Sequence, residues 1–186
     1  MSLLDVFLQR HPFDVALTLQ DSMYLTTPLP DLSHVVDIQY LWHFTNHRLH
    51  WSTIQEPDTP YNRIWGIHTH DDLVLHCISL LLTGRVKDYA LATYGHKNHW
   101  VGCFGCLCVI SHSFLVHLDK ETSILSVMRQ MTTNRLRRAI ESIFPLVCQY
   151  ALGRVINTSW DGLYYDGVYH NNFHGTYVTK QSFNRQ

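Results

Sequence analysis

The chain has 186 residues, of which 46% are apolar and only 16% charged, with a formal net charge of −1. This composition excludes a disordered tail, which needs low hydrophobicity and high net charge, and it offers no global basic field for a nucleic-acid backbone. The length suits a single domain over 1–186, and the unusual count is 14 histidines against 15 acidic residues.

Residues 1–20 predict a short helix broken at Pro12, then strand-like alternation in Phe13-Asp-Val-Ala-Leu-Thr-Leu. The first ten residues lack a basic n-region and carry Asp5 inside their apolar run, so they do not read as a signal peptide. Pro28 and Pro30 mark a turn, residues 34–54 suit one or two strands, and Glu56 to Asn62 reads as a loop. Asp71 or Asp72 can cap a helix running to about Leu82, with Gly84 as its stop. That helix is apolar nearly all round, which predicts burial. The apolar run Leu73 to Leu82 is about half the ~20 residues a membrane span needs, so no membrane partner is expected.

Residues 95–112 look irregular. Thr122 or Ser123 can cap a second helix from about Ile124 to Ile143, ended by Pro145. Arg135, Arg137 and Arg138 would then lie in its C-terminal half, where the helix dipole favours cations. Pro145 to Ile156 suits a strand or a buried helix, and the tail 157–186 suits short strands joined by tight turns. The expected class is α+β: one domain with two main helices, several short strands and a Cys/His-rich irregular segment.

Five cysteines make an odd count, and three crowd into six residues, which argues for a reducing compartment rather than a disulfide framework. The dense segment is His96-x2-His99-x3-Cys103-x2-Cys106-x-Cys108-x3-His112. Thiolate and imidazole are zinc's preferred ligands, and four of these six could close a structural tetrahedral site. Gly102 and Gly105 would let backbone amides turn towards the sulfurs. The competing reading is buried thiols and packed histidines, since cysteine favours cores in its own right.

A second pattern, His68-x-His70-x-Asp72, resembles the opening of the metallo-β-lactamase metal motif, although Leu73 stands where that motif has histidine. A metal-dependent hydrolase using these three residues is the alternative enzyme reading. Deaminase, Walker A, nucleophile-elbow and Rossmann signatures are all missing from the sequence.

The third pattern is Leu73-x3-Cys77-x3-Leu81, one ridge along a helix face. Such a ridge serves either the core or a partner's groove. It resembles the elongin-binding box of cullin-type ubiquitin ligase adapters, with Asp72 where that box usually has Ser, Thr or Pro.

Order along the chain adds to this. Thr53-Ile-Gln-Glu, Trp65, Thr69-His-Asp-Asp-Leu-Val-Leu, His99-Trp-Val-Gly-Cys-Phe-Gly-Cys, Gly153-Arg-Val-Ile and Tyr165-Asp-Gly follow one another. Their succession over about residues 50–167 resembles the adenovirus early region 4 34 kDa protein family. The arginine-faced amphipathic helix and Cys-rich C-terminal part of that family have no counterpart in this sequence. The resemblance implies a viral early regulatory adapter of the host nucleus and cytoplasm, not an enzyme. It would recruit a host elongin–cullin ubiquitin ligase, act with a second viral early protein to direct host-protein degradation, and support late viral mRNA export. Leu73, Cys77 and Leu81 would be its ligase-docking ridge. His99, Cys103, Cys106 and His112 would belong to a zinc-bearing scaffold, with His96 and Cys108 as further ligand candidates. A purely structural interaction module is the third reading.

Overall fold

The computed structural model describes residues 13–18, 23–25, 31–40, 43–44, 55–96, 99–155, 173–174 and 178–180. The strands are β1 (Val15–Leu17), β2 (Met23–Leu25), β3 (Ile38–Tyr40), β4 (His43–Phe44), β5 (Gly102–Cys103), β6 (Cys108–Ser111), β7 (Phe173–His174) and β8 (Val178–Lys180). The helices are α1 (Pro60–Trp65), α2 (His70–Leu81), α3 (Gly84–Tyr94), α4 (His112–Thr122), α5 (Ile124–Gln130) and α6 (Asn134–Leu152). The class is α+β, as the composition and patterning predicted. The expected helix at 1–12 and most of the tail lie outside the described residues.

Strand β6 is the middle of a three-stranded antiparallel sheet, flanked by β1 and β3. All four of its residues are buried, which suits the central strand of a covered sheet. The sheet β2–β8–β7 and the pair β4–β5 are also antiparallel. Ser111 ends β6 and caps α4 at once, its Oγ accepting the Phe114 N–H at 3.2 Å. Chain direction therefore changes without a linker.

Helix α6 is the central packing element, lying against α2, α3, α4 and β5. It runs through Pro145, where a helix stop was expected. A proline inside a helix loses a hydrogen bond and crowds the preceding turn, at about 3 kcal/mol. Ile143, Leu146, Val147 and Cys148 around it are all fully buried, and burying an aliphatic side chain contributes roughly 1.5–3 kcal/mol each. Packing wins.

Three further expectations are corrected. Two main helices become six among the described residues, because α3 and α4 fill stretches that showed no clear helical signal. The loop after Glu56 is shorter than expected: Thr59 caps α1, its Oγ1 accepting the Asn62 N–H at 3.1 Å. Finally, the helix expected over 124–143 is broken. Helix α5 stops at Gln130 and Thr133 caps α6. Arg135, Arg137 and Arg138 thus lie near the N-terminus of α6, the end where the helix dipole opposes cations.

No helix among the described residues is long and apolar enough to cross a membrane.

Candidate functional site

The six residues expected to hold zinc divide among three places. His96 and His99 stack on each other with ring centroids 5.3 Å apart, beside a cavity of about 500 Å³ that Tyr89, Gln149 and Arg154 also line. His112 meets the Phe13 ring edge-on at 4.9 Å. The thiols of Cys103, Cys106 and Cys108 form the third place, at the end of β5, on the turn that follows and at the start of β6.

That turn needs two consecutive left-handed residues, Gly105 at φ 56° and Cys106 at φ 55°. Such a conformation strains a non-glycine residue, and hydrogen bonds hold it in place. Gly105 N–H donates to the Glu141 carboxylate at 2.9 Å, and Thr18 Oγ1 donates to the Cys106 carbonyl at 2.6 Å. Cys148 of α6 joins these thiols. Burial pushes the Cys108 thiol up to about 12, and it raises Cys103, Cys106 and Cys148 well above the ordinary range, with the neighbouring sulfurs adding to the effect at those three. Cys103 Sγ donates to the Leu107 carbonyl at 3.3 Å, and Cys108 Sγ lies 3.3 Å from Thr18 Oγ1. These are neutral, packed thiols of the right donor type for zinc. Among the described residues, however, no three His, Cys, Asp or Glu side chains stand together as a ligand set. The six-residue set does not converge.

The hydrolase trio does not converge either. The Asp72 carboxylate closes a capping box, accepting from Thr69 N at 2.8 Å, Thr69 Oγ1 at 2.9 Å and His68 N at 3.0 Å. Burial raises its pKa, but those bonds outweigh it and hold the carboxyl below its usual value. His68 is exposed. His70 is buried and faces inward, its Nδ1 3.5 Å from Glu56 Oε1. Burial, and then the Arg138 charge, lowers the His70 pKa, with Glu56 opposing. Glu56 itself has a fully buried side chain and takes two bonds from Arg138 Nη2, at 2.9 and 2.6 Å. This buried network links the segment before α1 to the start of α6.

The Leu73–Cys77–Leu81 ridge faces inward. Leu73 and Cys77 have no exposed surface and Leu81 is half-buried. Burial pushes the Cys77 thiol up to about 11. Contact with a partner through Leu73 or Cys77 would require α2 to leave the core. The expectation that α2 is buried all round is corrected too, because Leu75 and Leu80 are 38% and 57% exposed on its outer face.

That outer face continues onto α1. Ile64 and Trp65 are 77% and 56% exposed, and Tyr61 is 43% exposed. His76 ties the two helices together: its Nε2 is 2.8 Å from Tyr61 Oη, and its ring lies 5.0 Å from that of Trp65. At the edge of this face is a cavity of about 260 Å³, lined by Tyr61, Leu73, His76, Thr133, Arg135 and Leu136. The Arg135 guanidinium sits 4.6 Å over the Tyr61 ring. Its Nε and Nη2 are buried with no hydrogen-bond partner among the described residues.

Sequence reasoning missed this face. Its traces are Trp65 and Leu75 among the resembling residues and the run Arg135, Arg137, Arg138, which reads as the wrong end of a helix. Cys148 carries no such trace, since it lies far from its partners in sequence. No family model matches the chain, and no curated protein or solved structure matches it.

Proposed function

We propose that the chain is a non-catalytic interaction module whose docking face is the outer side of α1 and α2. The supporting observation is the group Tyr61, Ile64, Trp65, Leu75 and Leu80, all exposed on two consecutive helices. Exposed large apolar side chains gathered on neighbouring helices are the raw material of interaction sites. Tryptophan and tyrosine are also the side chains that most often anchor binding hot spots.

The finer reading extends the same proposal. The partner is the host elongin–cullin ubiquitin ligase, and the protein is a viral early adapter working with a second viral early protein in the host nucleus and cytoplasm, as the resemblance implies. The reachable residues of α2 for that contact are Leu75 and Leu80 rather than Leu73 and Cys77. Zinc would enter this reading only by drawing the thiols of Cys103, Cys106, Cys108 and Cys148, whose donor type suits it, into a ligand set they do not form as folded. The histidines lie elsewhere.

Two measurements test the reading. Purified elongin complex should bind the wild-type chain and lose at least tenfold in affinity on Ile64→Asp or Leu80→Asp. Unchanged binding by both variants contradicts the docking face. Metal analysis with chelator titration tests the zinc component. One equivalent of zinc whose removal lowers the melting temperature supports it, because structural zinc is coupled to folding. A metal-free protein that ignores the chelator ends it.

A further inference from the structure

We infer that the cavity at the N-terminus of α6 receives the side-chain carboxylate of an Asp or Glu on an apolar partner segment, with Arg135 as its recognising group. The inference rests on the docking face proposed above, because the cavity opens beside that face, and it specifies what the face selects.

Two observations converge on an anion. Arg135 presents buried Nε and Nη2 donors with no acceptor among the described residues. A guanidinium edge of this kind matches a carboxylate through paired hydrogen bonds. Thr133, the N-cap of α6, and Leu136 in its first turn are also in the lining. The positive dipole end of a 19-residue helix therefore lies at the cavity. An arginine there is unfavourable for the folded chain alone, and an anion between the two relieves both costs.

The rest of the lining sets the remainder of the ligand. Tyr61 and Leu73 make the walls mostly apolar, and Tyr61 already holds the guanidinium plane by a cation–π contact at 4.6 Å. A volume of about 260 Å³ holds one or two side chains rather than a cofactor. Exposed Trp65 adjoins the wall residue Tyr61, with ring centroids 6.3 Å apart, so a ligand reaching the pocket also has apolar surface to cover outside it. A peptide segment with an acidic residue between large apolar ones meets both demands. A free carboxylate meets only the first.

The test uses the full chain and two labelled peptides, acetyl-Leu-Phe-Glu-Leu-Phe-amide and its Glu→Gln counterpart, with 3-phenylpropionate as the free carboxylate. The Glu peptide should bind at least tenfold tighter than the Gln peptide. Arg135→Gln should abolish that preference, Arg135→Lys should keep part of it, and both should melt close to wild type. Binding of 3-phenylpropionate should be at least tenfold weaker than that of the Glu peptide. Equal affinity for the two peptides, or a preference that survives Arg135→Gln, overturns the inference. So does no binding of the Glu peptide at millimolar concentration. Free 3-phenylpropionate binding as tightly as the peptide overturns the choice of a peptide ligand. Failure of the docking face shows separately, as elongin binding unaffected by Ile64→Asp.

Discussion

Individual side chains divide sharply between core and surface, and α2 shows it within one turn. Leu73 is fully buried while Leu75 is 38% exposed. Replacing a buried leucine by alanine typically costs about 3–5 kcal/mol, set by the cavity left behind. Leu73→Ala should therefore destabilise by roughly 3 kcal/mol, and Leu75→Ala by about 0.5 kcal/mol or less. Urea denaturation of the two variants measures the difference.

The Glu56–Arg138–His70 network carries a second prediction at this scale. Removing one partner of a buried ion pair costs about 3–5 kcal/mol. Arg138 is 44% exposed on its side chain, so solvent compensates part of the loss. Arg138→Ala should cost about 2 kcal/mol on that basis, against little for Arg137→Ala at its exposed neighbouring position.

His70 adds a pH dependence with a definite sign. Its folded-state pKa lies below the ordinary value of 6.5, so the unfolded chain takes up this proton first as pH falls. Its contribution is constant above about pH 6.5 and is lost progressively below it, with a slope of at most about 1.4 kcal/mol per pH unit for one proton. His70→Gln should flatten that part of the stability profile between pH 6.5 and 5. A profile unchanged by the substitution contradicts the assignment.

At the scale of elements, capping chemistry sets most helix starts. Thr59, Thr69, Ser111 and Thr133 each accept an N–H from the first turn that follows them. Thr69→Ala should cost about 1 kcal/mol, and more than a surface threonine replaced elsewhere, because the capping box with Asp72 is lost as well. Thermal denaturation reads this directly.

The start of α2 was legible to within two or three residues because Asp71, Asp72 and a long apolar run coincide there, but the cap is Thr69 and the two aspartates stand in the first turn. Strands β1, β3 and β4 fell where alternation or β-branched residues predicted them. The failures have local causes. Gly84 reads as a helix stop, yet it stands at φ 57° at the junction of α2 and α3. Pro145 reads as a terminator, yet the buried residues around it keep α6 continuous. Once α6 was misplaced, its arginines were assigned to the wrong dipole end, and the cavity they border could not be foreseen. The metal candidates illustrate a further limit. Spacing along the chain placed six ligand-type residues together, but β6 and α4 carry His112 away from the thiols, and α6 brings in Cys148 from 40 residues beyond Cys108.

At the scale of the molecule, the core runs through α2, α6 and β6 and leaves Tyr61, Ile64, Trp65, Leu75 and Leu80 of α1 and α2 exposed among the described residues. Folding alone gains nothing from that surface, and leaving Trp65 and Ile64 in water forgoes burial of about 25 cal/mol per Å². A partner recovers it. The proposed identity of that partner rests on the ordered resemblances and the proposed face on exposure, so the two proposals can be tested together on one protein.

The most direct measurement is the affinity of purified elongin complex for the wild-type chain, for the face variant Ile64→Asp, and for the far-side variant Val116→Asp, whose position on α4 is 50% exposed. The expected result is binding to wild type, full retention in Val116→Asp, and at least a tenfold loss in Ile64→Asp with its melting temperature unchanged. Binding that is equal in all three proteins would contradict the docking face.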